Sequence, residues 1–301
     1  MKKALSILLT LTFILLPCSV VQAKTTTLSD AQMQYVTYNV NTQEETYSYY
    51  NVEPPVELAN SMLARPGFTG TAPLDEPIES SISPRTVFGE DNRRPVTNYN
   101  ILPYRAICYV NATFSDGYTG RSTGWLFSPD GVVVAGHAIY NPERGGWANT
   151  VVVYPARNNN NKPYTVEAYE FGLATPYAEN QDANYDYGLL KLEQSIGNTV
   201  GYLGYTYNGG AVGNTIRVIG YPLNVTNQTA TQYIQYESSG TIDSVYANLL
   251  YYNADATGGQ SGAPLFLGNS NTVIGIHTQS STNVNRGKRI HYDMYDWMNN
   301  W

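Results

Sequence analysis

From about residue 100 onward, apolar and polar positions alternate over short runs that turn residues interrupt. Arg105–Phe114, Thr123–Phe127, Val132–Ala135, Thr150–Tyr154, Tyr164–Phe171 and Tyr187–Leu192 are rich in β-branched and aromatic residues. Ser128-Pro129-Asp130-Gly131 and Asn158-Asn159-Asn160-Asn161 separate some of them as a turn and a solvated loop, the pattern of antiparallel strands. A second series follows in Gly201–Tyr207, Thr215–Tyr221, Gln232–Glu237, Gly240–Val245, Asn248–Tyr252, Ala263–Leu267 and Val273–Thr278. Two sets of about six strands predict an all-β protein of two antiparallel six-stranded barrels, the first over about 100–195 and the second over about 196–288. The period then changes. Ile290, Met294, Trp297, Met298 and Trp301 recur at helical spacing, which predicts a C-terminal helix over about 290–300. His291 falls at its start, in a structural or solvated role.

The first 85 residues do not share this pattern. Lys2-Lys3, the largely apolar run Ala4–Pro17 and the small-x-small stretch Val21-Gln22-Ala23 read as a secretory signal over 1–23. The apolar run is shorter than the ~20 residues a membrane span needs. Pro17 makes Cys18 a poor lipidation site. Residues 24–85 begin rich in Thr, Gln, Tyr and Glu and then carry Pro54, Pro55, Pro66, Pro73, Pro77 and Pro84. With no histidine, no cysteine and weak periodicity, this segment reads as a propeptide rather than a packed domain; a flexible linker is the alternative.

Composition narrows the function. Charged residues are 14% of the 301, against roughly 25% in typical soluble domains, and 27 tyrosines carry much of the polarity. The net charge of −7 argues against a nucleic-acid partner, whose phosphates demand a basic face. No other segment is apolar enough for stable membrane association. Once the signal is removed, Cys108 is the remaining cysteine, so no intramolecular disulfide forms. It reads as a buried strand residue rather than a reactive thiol.

The chemistry concentrates in Thr257-Gly258-Gly259-Gln260-Ser261-Gly262-Ala263-Pro264. Glycines around one serine let backbone adopt unusual angles and come close to a ligand. The N–H groups of Gly259 and Ser261 can then converge beside the Ser261 hydroxyl as an oxyanion hole. A serine nucleophile needs a base. Of the three histidines, His137 ends a β-rich run, Val132–Ala138. Asp186 opens another, Tyr187–Leu192, and can orient the imidazole. Asp182 lacks a following apolar strand, and Asp255 lies too close to Ser261 along the chain to act from an opposite wall.

Ala135-Gly136-His137, Asp186-Tyr187-Gly188-Leu189-Leu190 and Gly259-Gln260-Ser261-Gly262-Ala263-Pro264 resemble the three catalytic blocks of trypsin-like serine proteases, in the His–Asp–Ser order of chymotrypsin. They are similar above all to those of secreted bacterial glutamyl endopeptidases, and the resemblance runs from about Val87 to the C-terminus. It implies a trypsin-like arrangement, with His137 and Asp186 on one barrel wall and Ser261 on the other. It implies processing near Arg85, a mature unit over 86–301 that begins at Thr86 or Val87, and an activating protease. It places His277, in Gly275-Ile276-His277-Thr278, on the primary specificity pocket with Thr257, Thr278 and Val87. One departure stands out. The family's hydroxyl residue five positions before the nucleophile is Ala256 here, with Thr257 one step later; either Thr257 substitutes with a shifted backbone or the pocket has one donor fewer. Gln260 replaces the acid that pairs with the new N-terminus in chymotrypsin-like zymogens.

The expected function is a secreted serine endopeptidase that cleaves after glutamate, less readily aspartate, by a His137–Asp186–Ser261 triad. Its expected partners are protein or peptide substrates with acidic residues, and it is expected to be a monomer. No cofactor and no metal is expected. The alternatives are a trypsin-fold protease of other specificity and an inactive barrel that binds ligands through its tyrosines.

Overall fold

The computed structural model describes residues 32–54, 64–71, 91–223, 225, 233–280 and 284–301. The expected signal, the processing point near Arg85, Thr86 and Val87 lie outside them. The first barrel is built from β1 (Ile107–Thr113), β2 (Thr119–Leu126), β3 (Gly131–Val134), β4 (Thr150–Pro155), β5 (Val166–Ala174) and β6 (Gly188–Leu192). They pair in the order β4-β1-β2-β3-β6-β5, and β5 closes the ring on β4. The second barrel is built from β7 (Thr215–Gly220), β8 (Tyr236–Val245), β9 (Leu249–Tyr252), β10 (Pro264–Leu267), β11 (Thr272–Gln279) and β12 (Asn285–Arg289). Its order, β10-β7-β8-β9-β12-β11 closing on β10, repeats that of the first barrel. Closure pairs each strand of the ring with two neighbours, although β5 meets β4 only over Val166–Ala168 and its Glu170–Ala174 part runs on as an edge.

Alternation explains most of these strands. In β4, Val151 and Val153 are buried between partly exposed neighbours; in β7, Ile216 and Val218 are fully buried. Two expectations are corrected. Gly201–Tyr207 is no barrel strand; only Gly204–Thr206 is extended, and it runs parallel to β11. The missing member of the second barrel is β12. Its sequence, Asn-Arg-Gly-Lys-Arg, has no apolar signal, yet Asn285, Gly287 and Lys288 are buried. Tertiary contacts meet their polar atoms: Asn285 Nδ2 donates to the Ala254 carbonyl at 2.7 Å and Lys288 Nζ to Asn248 Oδ1 at 3.0 Å. Gly240–Val245 is not a separate strand either: β8 runs unbroken from Tyr236 to Val245 and takes in only the end of the expected Gln232–Glu237 run.

The C-terminal helix spans Tyr292–Asn300, with His291 at its N-cap position, as the periodicity predicted. Met294, Trp297 and Met298 are buried. The helix packs on β5, where Gly172 makes room; a Cβ there would lie 2.6 Å from Trp297 Cζ2 and 2.8 Å from Trp301 Cη2. Cys108 is buried and unpaired by any disulfide, and burial pushes its thiol up.

Ahead of residue 85, the described residues 32–54 and 64–71 form strands that the sequence did not suggest. Gln32–Asn39 and Glu44–Asn51 form an antiparallel hairpin, and its first strand extends the sheet of the first barrel by pairing Tyr35–Asn39 with Ala174–Glu170 of β5. Ala64–Arg65 pairs with Thr206–Tyr205. Within 24–85 the described residues 32–54 and 64–71 are thus paired with the rest of the chain, where the sequence suggested no packed structure. Tyr35, Val36 and Tyr38 suit a strand, but a two-stranded hairpin is marginal alone. Its order comes from the β5 edge, which the local sequence does not announce.

Candidate active site

His137 lies in a short 3₁₀ turn, Gly136–Ala138, just after β3. Asp186 follows another, Ala183–Tyr185, just before β6. Because β3 and β6 are neighbours in register, with Val134 opposite Gly188, the two turns emerge side by side. The Asp186 carboxylate holds His137 twice. Its Oδ1 accepts from the His137 backbone N–H at 2.9 Å, and its Oδ2 faces Nδ1 at 2.8 Å. An ionised carboxylate only accepts, so Nδ1 carries the proton and Nε2 presents its lone pair. Asp186 is largely buried while the His137 ring is 40% exposed, the arrangement of a base oriented from behind and open to solvent in front. Burial opposes a charge on His137, but the charge and hydrogen bond of Asp186 outweigh it and raise the imidazole above its ordinary value of 6.5. Asp182 instead caps the preceding turn by accepting from Asn184 N at 2.9 Å.

The serine loop comes from the second barrel. Ser261 precedes β10, and the loop is tied to the first barrel by Thr123 of β2. The Thr123 amide donates to the Ser261 carbonyl at 2.9 Å, and its hydroxyl donates to the Gly259 carbonyl at 2.9 Å. Gly262 has φ +85°, and a Cβ there would stand 2.2 Å from the Thr123 carbonyl oxygen and 2.9 Å from Ala135 N. Only glycine permits this approach. It sets the residue beside Ser261 against the backbone two positions before His137. Gly259 also has a positive φ, +90°. Loop hydrogen bonds run from Gln260 N to the Thr257 carbonyl, from Gly262 N to the His277 carbonyl and from Ala263 N to the Gln260 carbonyl. Among the described residues, none engages the amides of Gly259 and Ser261. None joins Ser261 Oγ to His137 Nε2 either. Such contacts often tighten only when substrate binds.

His277 lies against the same loop, because its amide donates to the Ala263 carbonyl at 2.8 Å. Its side chain is fully buried, with Nδ1 2.5 Å from Tyr252 Oη and Nε2 3.0 Å from Ser280 Oγ. Burial, reinforced by the charge of nearby His137, holds it down to about 3, so this imidazole is neutral at physiological pH. Thr278 Oγ1 donates to the Arg286 carbonyl at 3.2 Å. Thr257 is held on two sides: its amide donates to Gln260 Oε1 at 2.9 Å, and its hydroxyl accepts from the guanidinium of Arg93. Arg93 is buried and pairs with Asp91 through Nε at 2.9 Å and Nη2 at 2.7 Å. The Gln260 amide nitrogen is buried without a partner among the described residues.

The sequence reading did not reach Thr123, Arg93, Tyr252 or Ser280. A threonine in β2 and an arginine in Asp91-Asn92-Arg93-Arg94 have no motif of their own; their roles exist only once the barrels meet. Among the described residues no three His, Cys, Asp or Glu side chains cluster as a metal would require.

Comparison with known proteins places the chain among the trypsin-like proteases. The trypsin family profile matches residues 94–301. The chain is 33% identical over 287 residues to a glutamyl endopeptidase of Bacillus licheniformis, covering 88% of this chain and 83% of the relative. It is 32% identical to a Bacillus subtilis protein named as an extracellular metalloprotease, covering 86% and 83% respectively. A solved structure of a Glu endopeptidase in complex with MPD superposes with a TM-score of 0.63 at 29% identity, over 71% of this chain and 98% of the other. The two closed barrels, the docked serine loop and these matches lead to one conclusion: this chain belongs to the trypsin family and is a serine endopeptidase.

Proposed function

We propose that the chain is a secreted glutamyl endopeptidase in which Ser261 attacks the peptide carbonyl. His137 Nε2 takes the hydroxyl proton and later returns it to the leaving amine. Asp186 holds the imidazole in the tautomer this requires and stabilises its charged form. The amides of Gly259 and Ser261 receive the charge that develops on the carbonyl oxygen. The observation that carries this reading is the double hold of Asp186 on His137, set against the loop that Gly262 presses onto the same strand end.

Specificity for glutamate rests on His277. Burying a substrate carboxylate is costly unless donors meet it. A neutral His277 that accepts from Tyr252 Oη at Nδ1 keeps its proton on Nε2, where Ser280 now accepts it. A substrate carboxylate replacing Ser280 would receive that proton in a hydrogen bond. Thr257, Thr278 and Val87 complete the pocket in this reading. Signal removal at 1–23 and processing near Arg85 belong to it too. The Bacillus subtilis relative, named as extracellular, supports secretion. The solved relative spans a share of this chain close to the length from Thr86 to Trp301, which supports the 86–301 unit.

The test is a cleavage profile of the processed protein on matched peptides bearing Glu, Asp, Phe or Arg before the scissile bond. Glu is expected to be preferred, Asp to follow, and Ser261→Ala to abolish turnover. Preference for Phe or Arg would replace the specificity, and turnover by Ser261→Ala would remove the triad. Intact mass of the secreted protein is expected to begin at Thr86 or Val87; a start well before Ser80 or after Arg94 would refute the processing site.

A further inference from the structure

The N-terminal segment does more than precede the catalytic unit. It grips the unit at two separate places. At the first, the hairpin lays Tyr35–Asn39 along β5. Tyr35 is fully buried. Its ring stacks on Trp297 of the C-terminal helix with centroids 4.1 Å apart and planes at 28°. Its hydroxyl lies 2.7 Å from that of Tyr187 and 3.2 Å from Asp293 Oδ2. Around it, Tyr38 stacks on Trp147 at 5.5 Å, Trp147 Nε1 donates to Glu45 at 2.7 Å, and the Asn51 amide donates to Asp296 at 3.3 Å.

At the second place, residues 64–71 follow the stretch Thr199–Thr206 that connects the barrels. Phe68 and Tyr202 exchange backbone hydrogen bonds at 2.9 Å in both directions, and Thr71 N donates to the Thr199 carbonyl at 2.9 Å. Arg65 Nε donates to Asn299 Oδ1 at 2.6 Å, and the Arg105 guanidinium donates to the Thr69 carbonyl. The approach is close enough that a Cβ on Gly70 would stand 2.3 Å from Gly201 N. One segment therefore engages the first barrel, the inter-barrel connection and the C-terminal helix at once.

We infer that residues 32–54 and 64–71 remain bound after the cut near Arg85, as a non-covalent strap on the catalytic unit. The docking surface is the β5 edge, the pit between Tyr187, Asp293 and Trp297, and the backbone of Tyr202–Thr206. Its occupant is this chain's own released segment. Departure would strip a paired strand edge, empty a site the size of a tyrosine ring and leave the Tyr187 and Asp293 polar atoms without their Tyr35 partner. Each of these opposes release. Two anchors on one short chain also make each rebinding event effectively intramolecular while the other holds.

The inference rests on the processing reading for its setting, but its test does not. A recognition sequence for a specific protease is placed over Ser80–Arg85 in the full chain carrying Ser261→Ala, so that self-digestion plays no part. The protein is cut to completion and run on native size exclusion, with intact masses read from each peak. Both fragments are expected in one peak, parting only in denaturant. A short fragment that elutes by itself without denaturant overturns the inference. Tyr35→Ala, cut in the same way, is expected to weaken retention by about a hundredfold, and Tyr35→Phe, which keeps the stacking ring, by far less. Equal retention of all three would refute the pit as an anchor. Natural processing is judged separately, from the mass of the secreted protein, so a wrong cut site and a failed docking give different results.

Discussion

Thr123 and Ser261 stand on different barrels and are joined by a backbone hydrogen bond of 2.9 Å from the Thr123 amide to the Ser261 carbonyl. The Thr123 hydroxyl adds two more bonds, donating to the Gly259 carbonyl and accepting from the Tyr221 amide, both at 2.9 Å. One side chain thus fixes the distance between the serine loop and the wall that carries His137. Thr123→Val keeps the shape but strands both partners. It is expected to cost about 1–3 kcal/mol of stability and to lower kcat by about 10–100-fold as the Gly259 peptide loses its anchor. Thermal unfolding and steady-state kinetics check it; an unchanged kcat would show that the loop holds itself.

The pH profile should follow His137. In the proposed mechanism the base works only when neutral, so activity should fall as pH drops through its pKa. Asp186 raises that pKa above 6.5, which places the acid limb of kcat/KM on the high side of an ordinary histidine. Asp186→Asn removes the charge and leaves burial to act alone. The limb should then move to lower pH, while kcat at neutral pH falls by about 10⁴-fold because the tautomer is no longer held. A limb that stays in place would assign it to another group.

Gly262→Ala tests the close approach. The added methyl meets the Thr123 carbonyl at 2.2 Å on a residue with φ +85°. The backbone must shift, so the variant is expected to lose nearly all activity even where it folds. Near-UV circular dichroism beside the kinetics separates misfolding from a displaced loop; full activity would contradict the packing.

Acid stability should depend on Asp293. Burial alone would raise its carboxyl, but Lys288 and the His291 contact at 3.2 Å outweigh it and hold it at about 2. A carboxylate whose folded pKa is depressed stabilises above its unfolded pKa and loses that contribution as pH falls through the folded value. The stabilisation, roughly 2 kcal/mol, is therefore present above about pH 4 and fades toward pH 2. Asp293→Asn should flatten the stability profile in that window. Denaturant midpoints at several acid pH values measure it; an unchanged slope would exclude Asp293 as the source.

Much of the site was legible because it is written locally. A glycine-flanked serine, a histidine ending one apolar run and an aspartate opening another are neighbours of their own strands, and strand alternation is a two-residue signal. β12 escaped because its burial depends on polar partners 31 and 40 residues away in sequence. The hairpin escaped because its partner edge lies more than a hundred residues along the chain.

What the sequence determined by itself was most of the strands with apolar alternation, the C-terminal helix and the residues proposed to carry acyl transfer. The tertiary structure alone decided that Thr123 secures the serine loop, that Arg93 holds Thr257 and that Tyr35 fills a pit in the catalytic unit. Residue type and period are properties of neighbours along the chain. A hydrogen bond between barrels depends on the closure and register of two separate sheets, which no local stretch encodes.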